Sequence, residues 1–279
     1  MKITRYATML SVMAGSAVLA AALPSEISVQ LKLANSEYVL GERIRAVVDV
    51  ANASADPIDA RRTESPDSMI LELYRAGDRH RFGKVSEDPF VAPFALLSGE
   101  GQQMPTFIGD HFEIVETTRY LVRAVLVHGK MRYESSLKSF TVVPGLRCGG
   151  ALQIFAGNEG LKREFELVHW GRDRAEHLFL KAKDTGISSR RWQTTDLGPF
   201  LRVTAPKVSV LPTGQVITLH RITQDSFVRS EFWSLPAAFE FHGHEQLFDP
   251  DVVGAERVKE LYKEAGSVEP EKKPWWKFW

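Results

Sequence analysis

The chain has 279 residues, 44% hydrophobic and 25% charged, proportions of a folded globular protein that exclude a disordered or collagen-like one. Its 35 Lys and Arg balance 35 Asp and Glu, so the charge excess that draws in phosphate backbones is missing and nucleic acid is not an expected partner. The single cysteine, Cys148, excludes an internal disulfide.

Lys2 and Arg5 precede an uncharged run from Tyr6 to Leu23 that ends in Ala20-Ala21-Ala22 before Leu23-Pro24-Ser25. That layout is expected of an export signal over residues 1–22, cleaved after Ala22, and places the protein in the periplasm, in the cell envelope or outside the cell. The same run, retained, is long enough to serve as a membrane anchor. No cysteine stands at the cleavage position, so lipid attachment is not expected. Loss of Lys2 and Arg5 leaves a mature chain with an excess of two acidic residues.

Residues 23–144 read as one domain of short strands. Ile27, Val29, Leu31 and Leu33 alternate with polar residues, as on a half-buried strand. A turn at Tyr38–Glu42 leads into a strand from Ile44 to Val50, which closes at Asn52–Pro57. Met69–Tyr74, Val91–Leu97 with an edge position for Pro93, Thr118–Val127 and Ser136–Val143 complete the set. Dense turns without a convincing amphipathic helix between them predict an antiparallel sandwich.

The motifs Tyr38-x-x-Gly41-Glu42, Val48-x-Val50-x-Asn52-x-Ser54, Leu97-Ser98-Gly99-Glu100, Tyr120-x-Val122-x-Ala124 and Phe140-x-Val142 occur in that order. This half of the chain resembles the bacterial Ig-like sandwich modules of exported proteins, and is remotely similar to small proteinase inhibitors of the BsuPI type. The resemblance implies an Ig-like topology in which Tyr120 pins a corner through its hydroxyl. It implies no ligand, and inhibition does not carry over without the inhibitory loop.

Pro144-Gly145 and Gly149-Gly150 predict a linker over 145–150 containing Cys148, a thiol that is either inert or paired with another chain. A second β-sandwich is expected over 151–248. Its strands are Ala151–Phe155, Arg163–Trp170, Glu176–Ala182, Phe200–Val203, Val208–Leu211, Val216–Arg221, Phe227–Trp233 and Phe239–Leu247, with most of its many aromatic residues in the core. Asp249-Pro250 opens a C-terminal helix over 249–266, with Val258, Leu261, Tyr262 and Ala265 on one face. The fold class is therefore all-β: two tandem antiparallel β-sandwiches, the first Ig-like, with a short helix and a tail over 267–279.

Three groups of residues carry the functional expectations. In the tail, Trp275, Trp276, Lys277, Phe278 and Trp279 follow a polar, proline-containing linker. Indoles with interleaved lysines suit a membrane surface or a pocket on an envelope protein, and the alternative is that the tail folds back on its own domain. In the second domain, Trp170, Arg172, Arg191 and Trp192 offer stacking and basic groups for a glycan or an anion, or else form a solvated rim. His242 and His244 are two residues apart on a strand and face the same side, which suits a metal if a third ligand such as His220 joins them; the alternative is a pair of exposed strand histidines.

No nucleophile motif stands out. Ser135-x-x-Lys138 has the letters of a catalytic pair, but on a strand the two side chains oppose each other. The sequence calls for no cofactor. It points to an exported, non-catalytic binding or assembly module of the envelope; the alternatives are a carbohydrate-binding accessory protein and an unrecognised hydrolase with carboxylates at a loop-lined end of the second sandwich.

Overall fold

The computed structural model describes residues 26–61, 67–78, 80–156, 160–172, 174–185 and 192–254, together with Arg257, Lys259, Glu260 and Lys263. The predicted export signal, Arg191 and the tail lie outside the described residues, as do Val258, Leu261, Tyr262 and Ala265 of the predicted helix face.

The fold is all-β, and the first domain is a two-layer sandwich. One layer has the order β1 (Ile27–Leu33), β3 (Arg45–Asn52), β7 (Gly101–Phe107). The other runs β2 (Glu37–Val39), β10 (Lys138–Val143), β8 (Arg119–His128), β5 (Ser68–Arg75). Within it β2 lies parallel to β10, and β9 (Met131–Glu134) pairs the far half of β8. The short β4 (Ile58–Asp59) and β6 (Ala95–Leu96) pair at one end, and a single helical turn, α1 (Ile108–His111), follows β7.

Alternation explains the layers. Ile27, Val29 and Leu31 of β1 meet Tyr120, Val122, Ala124 and Leu126 of β8 in one apolar core, with Ala46, Val48 and Val50 beside them. Tyr120 and Phe140 stack at 5.4 Å, and Tyr38 meets Phe140 edge-on at 5.8 Å. The fully buried Tyr120 donates its hydroxyl to the Glu116 carbonyl at 3.0 Å, fastening the corner where β8 begins. Buried Asn52 holds the following loop: its amide donates to the Asp56 carbonyl at 2.9 Å, and its side-chain oxygen accepts from Ser54. Ser135 serves the break between β9 and β10, its Oγ accepting from the Ala124 amide at 3.0 Å.

The second sandwich packs two meanders face to face. They are β11 (Leu146–Ile154), β12 (Lys162–Arg172), β13 (Ala175–Thr185) and β14 (Gln193–Pro199), and β15 (Lys207–Val210), β16 (Gln215–Arg221), β17 (Ser226–Leu235) and β18 (Ala238–Phe248). Phe165, Leu178, Leu180, Phe200, Val216, Phe232 and Phe239 fill the space between them. Arg163 closes one end of this core. It is bidentate to Asp184 at 2.6 and 3.0 Å and donates to the Leu235 and Ala238 carbonyls of the β17–β18 turn. Asp249 begins α2 (Pro250–Val253), accepting the Asp251 amide at 3.1 Å.

The predicted linker over 145–150 is replaced by strand. Gly145, at φ +73°, makes the turn, a bulge between Arg147 and Gly149 absorbs the irregular spacing, and β11 pairs with β12 from Leu146 onward. Cys148 is therefore a strand residue. Its thiol donates to the Leu167 carbonyl at 3.4 Å, and burial pushes its pKa up to about 11, so it stays protonated at neutral pH. The strand expected at Phe200–Val203 lies earlier, as β14, and Pro105 sits within β7, an edge strand that tolerates it.

His220 of β16 is 1% exposed, and neither of its ring nitrogens has a hydrogen-bonding partner. Burial pushes its pKa down to about 4, with the Pro199 carbonyl pulling weakly the other way. In the unfolded chain an imidazole titrates near 6.5, so the unfolded state takes up a proton the folded state refuses. Stability is therefore complete above pH 6.5 and falls by about 3 kcal/mol as the pH drops toward 4. Chemical denaturation across that window is expected to show the loss, and His220→Leu to flatten it in part. A smaller slope remains from His111 and His169, which burial shifts in the same direction.

Candidate functional site

The feature that organises the molecule is the junction of the two sandwiches. Along β12, residues facing away from the second core are Val168, Trp170 and Arg172, an apolar and cationic row on an outer sheet surface. The first domain covers that row. Val39 of β2 and Val143 of β10 pack against Val168 and Phe179, with Trp170 at the margin. Burial of this kind contributes roughly 25 cal/mol per Å² of apolar surface removed from water.

Polar groups fix the register of the contact. Arg172 donates to both oxygens of Glu42 at 2.8 and 2.9 Å and to Asp196 at 2.9 Å; its side chain and that of Glu42 are each 11% exposed. Burial works against the Arg172 charge, but Glu42 and Asp196 outweigh it and hold the guanidinium firmly protonated. Asp196 also meets His177 Nδ1 at 3.0 Å. The Trp170 indole donates to Glu37 at 2.9 Å. Thr194 of β14 donates its amide to the Gly41 carbonyl at 3.0 Å and its hydroxyl to the Leu40 carbonyl at 2.7 Å, so the turn after β2 runs as one more strand residue beside β14.

Gly41 is required at this turn. Its φ is +89°, and a Cβ there would lie 2.6 Å from Cβ and the carbonyl oxygen of Trp192. Trp192 in turn lies under Lys181, whose Nζ is 4.3 Å from its ring centre. Beside these contacts a cleft of about 370 Å³ opens between the domains, with Phe112, Ile114 and Val142 on one wall, Trp192 and Gln193 on the other, and Arg43 and Asp110 at the mouth, paired at 2.9 Å.

The structure brings Trp170, Arg172 and Trp192 together, half-buried along the junction. Trp170 and Arg172 are engaged by Glu37 and Glu42 of the first domain and the Trp192 backbone abuts Gly41, so these residues serve the junction. The partners lie some 130 positions away in sequence, and nothing in local spacing announces them.

The metal expectation is corrected. His242 and His244 are exposed on β18, where a bulge between Phe241 and Gly243 leaves His242 as the extra residue and breaks the simple alternation. His242 leans on Trp233 and His244 on Phe241, and His220 is sealed in the core beside Phe200. Among the described residues no group of three His, Cys, Asp or Glu side chains could hold a metal.

No protein-family model matches the chain. No curated protein matches it either. Among solved structures, the Pseudomonas fluorescens alkylpurine DNA glycosylase bound to DNA containing an abasic site analog shares 16% identity at a TM-score of 0.30, covering 42% of this chain and 30% of that one. The chain thus spans less than a third of the glycosylase's length. A sporulation control protein from Bacillus subtilis shares 11% identity at a TM-score of 0.31, over 87% of this chain and 98% of that one. Likenesses at these TM-scores carry no functional argument.

Two substitutions test the junction. Arg172→Met leaves Glu42 and Asp196 facing each other in a partly buried site, a loss of about 3–5 kcal/mol. Calorimetry is expected to show one unfolding transition for the parent and two for the variant, one per sandwich. Gly41→Ala combines the φ penalty with the Trp192 clash and is expected to destabilise by at least about 2 kcal/mol. Alanine at Gly129, whose added Cβ meets nothing within 4 Å, is expected to lose less.

Proposed function

We propose that the protein is an exported, non-catalytic binding or assembly module of the cell envelope. In this reading an Ig-like sandwich and a second sandwich form a stiff body, and the terminal Trp275, Trp276, Lys277, Phe278 and Trp279 dock to a membrane surface or an envelope protein. The observation that carries it is the division of labour among the tryptophans. The Trp170 indole is hydrogen-bonded to Glu37 across the junction, and the Trp192 ring lies under Lys181 beside the cleft. Trp275, Trp276 and Trp279 follow a polar, two-proline linker together with Lys272, Lys273 and Lys277. Indole rings prefer the boundary between water and an apolar phase, and lysines add roughly 1 kcal/mol each near an anionic surface.

Glycan binding through Trp170, Arg172 and Trp192 is less well supported, because the Trp170 indole and the Arg172 guanidinium are already hydrogen-bonded to Glu37, Glu42 and Asp196. The test compares the mature protein with a form stopped after Glu271, using co-sedimentation with native envelope membranes and affinity recovery of partners. Loss of association with an unchanged melting temperature is the expected outcome. Equal association of both forms overturns the docking role of the tail.

A further inference from the structure

Tyr74, Glu72 and Arg123 share the outer face of the sheet β2-β10-β8-β5, since Glu72 and Arg123 are directly opposed across β5 and β8. Two further segments bring arginines to the same place. Residues 80–82 run beside β5, with Arg81 bridged to Tyr74, and β9 sets Arg132 and Glu134 along the other side of β8.

Glu72 lies at the bottom of this group with a side chain 3% exposed. One of its oxygens meets Arg123 at 2.6 Å and the Tyr74 hydroxyl at 2.8 Å; the other meets Arg81 at 3.1 Å and Arg132 at 3.2 Å. Four contacts use the four lone-pair positions of a carboxylate. Burial disfavours the Glu72 charge, yet the hydrogen bonds from Arg123, Tyr74 and Arg132 outweigh it and hold its pKa down to about 2. The carboxylate is ionised throughout the physiological range. Glu134 neutralises one more charge, through contacts to Arg123 and Arg132.

Three guanidiniums therefore stand over two carboxylates, and the sign of exposure is uneven. The Glu72 side chain is sealed, whereas those of Arg81 and Arg132 are 59% and 48% exposed. Arg132 uses only Nη2 for its carboxylate contacts, which leaves Nε and Nη1 for another acceptor. Arg119, on the same face of β8, adds a fourth cation and donates to Ser139 at 3.1 Å. The guanidiniums are held in place before any ligand arrives, so the ordering entropy of long side chains is already met.

We propose that this face of the first domain binds a phosphate group, held by Arg81, Arg123 and Arg132 above the buried Glu72. Guanidinium forks match the paired oxygens of phosphate, and an arriving anion offsets the one charge that Glu72 and Glu134 leave unneutralised on these three arginines. The phosphate comes either from a free small molecule or from a lipid headgroup, and the site is independent of the tail.

The test titrates the mature full-length protein with inorganic phosphate in chloride buffer, followed by amide and guanidinium NMR shifts. In parallel it measures sedimentation with phosphatidylcholine vesicles containing or lacking phosphatidylglycerol. Arg81→Ser/Arg132→Ser is the comparison, because both side chains are half exposed and their loss leaves the Arg123–Glu72 pair and the core in place. Phosphate is expected to shift the resonances of Arg81, Arg123 and Arg132 in the parent, with affinity at least about tenfold weaker in the double variant. Vesicle binding that falls in the variant identifies a lipid headgroup as the source; phosphate binding that falls with vesicle binding unchanged identifies a free phosphate. Absence of shifts at the three arginines, or equal phosphate affinity in parent and variant, overturns the proposal.

Discussion

The arrangement of both sandwiches follows from the need to cover one surface. A four-stranded meander has two faces, and the sheet β11–β14 has only one sandwich partner. Its outer face carries Val168, Trp170 and Phe179, too apolar to leave in water. The first domain supplies the lid with Val39 and Val143, the ends of the two parallel strands β2 and β10. This accounts for the pairing of β2 with β10 and not with β1: the turn at Gly41 then emerges beside β14 and can continue its hydrogen bonding. A single glycine with positive φ thus connects the first domain's edge to the second domain's face.

The buried ions at the junction do a different job from the apolar contact. An ion pair transferred from water recovers its desolvation penalty only with good geometry, so Arg172, Glu42 and Asp196 add little net stability over an apolar replacement. They add selectivity. A slide of the first domain by one residue along β12 would leave Val39 and Val143 still on apolar surface, but it would strand the Arg172 guanidinium and the Glu42 carboxylate without partners. The apolar patch favours contact, and the ion pairs choose one contact among several.

These principles also explain what the sequence discloses and what it hides. Strands whose alternation is regular, such as Ile27–Leu33 and Arg45–Asn52, are legible because one face is buried and period two is imposed by geometry. The expectation for Tyr120 rests instead on the order of motifs in the first half of the chain, and its hydroxyl is tied to Glu116 only four residues away. The strand through Cys148-Gly149-Gly150 is hidden, because its identity comes from pairing with Leu167 and Glu166 and its own residues read as a connector. Trp170 and Trp192 are hidden in another way: the residue type is correct for a binding surface, and only tertiary contact tells whether the surface is free or already occupied. The basic character at Arg81, Arg123 and Arg132 is likewise invisible in a chain of balanced composition, since the three come from segments some 50 residues apart at the extremes.

The two ionic clusters use the same ingredients with opposite polarity of burial, and the contrast separates structure from function. At the junction the cation is enclosed: Arg172 is 11% exposed, with carboxylates from two domains around it, and its main donors are spent within the molecule. On the outer sheet of the first domain the anion is enclosed, and the cations lie outside it with donors to spare. A buried cation with surplus carboxylates is closed to any further ligand. A buried carboxylate under surplus cations holds those cations in a fixed array facing water, and the field of such an array acts outward over roughly a Debye length, about 8 Å at physiological ionic strength. The first cluster fixes how the protein is built, and the second sets the sign of what approaches it.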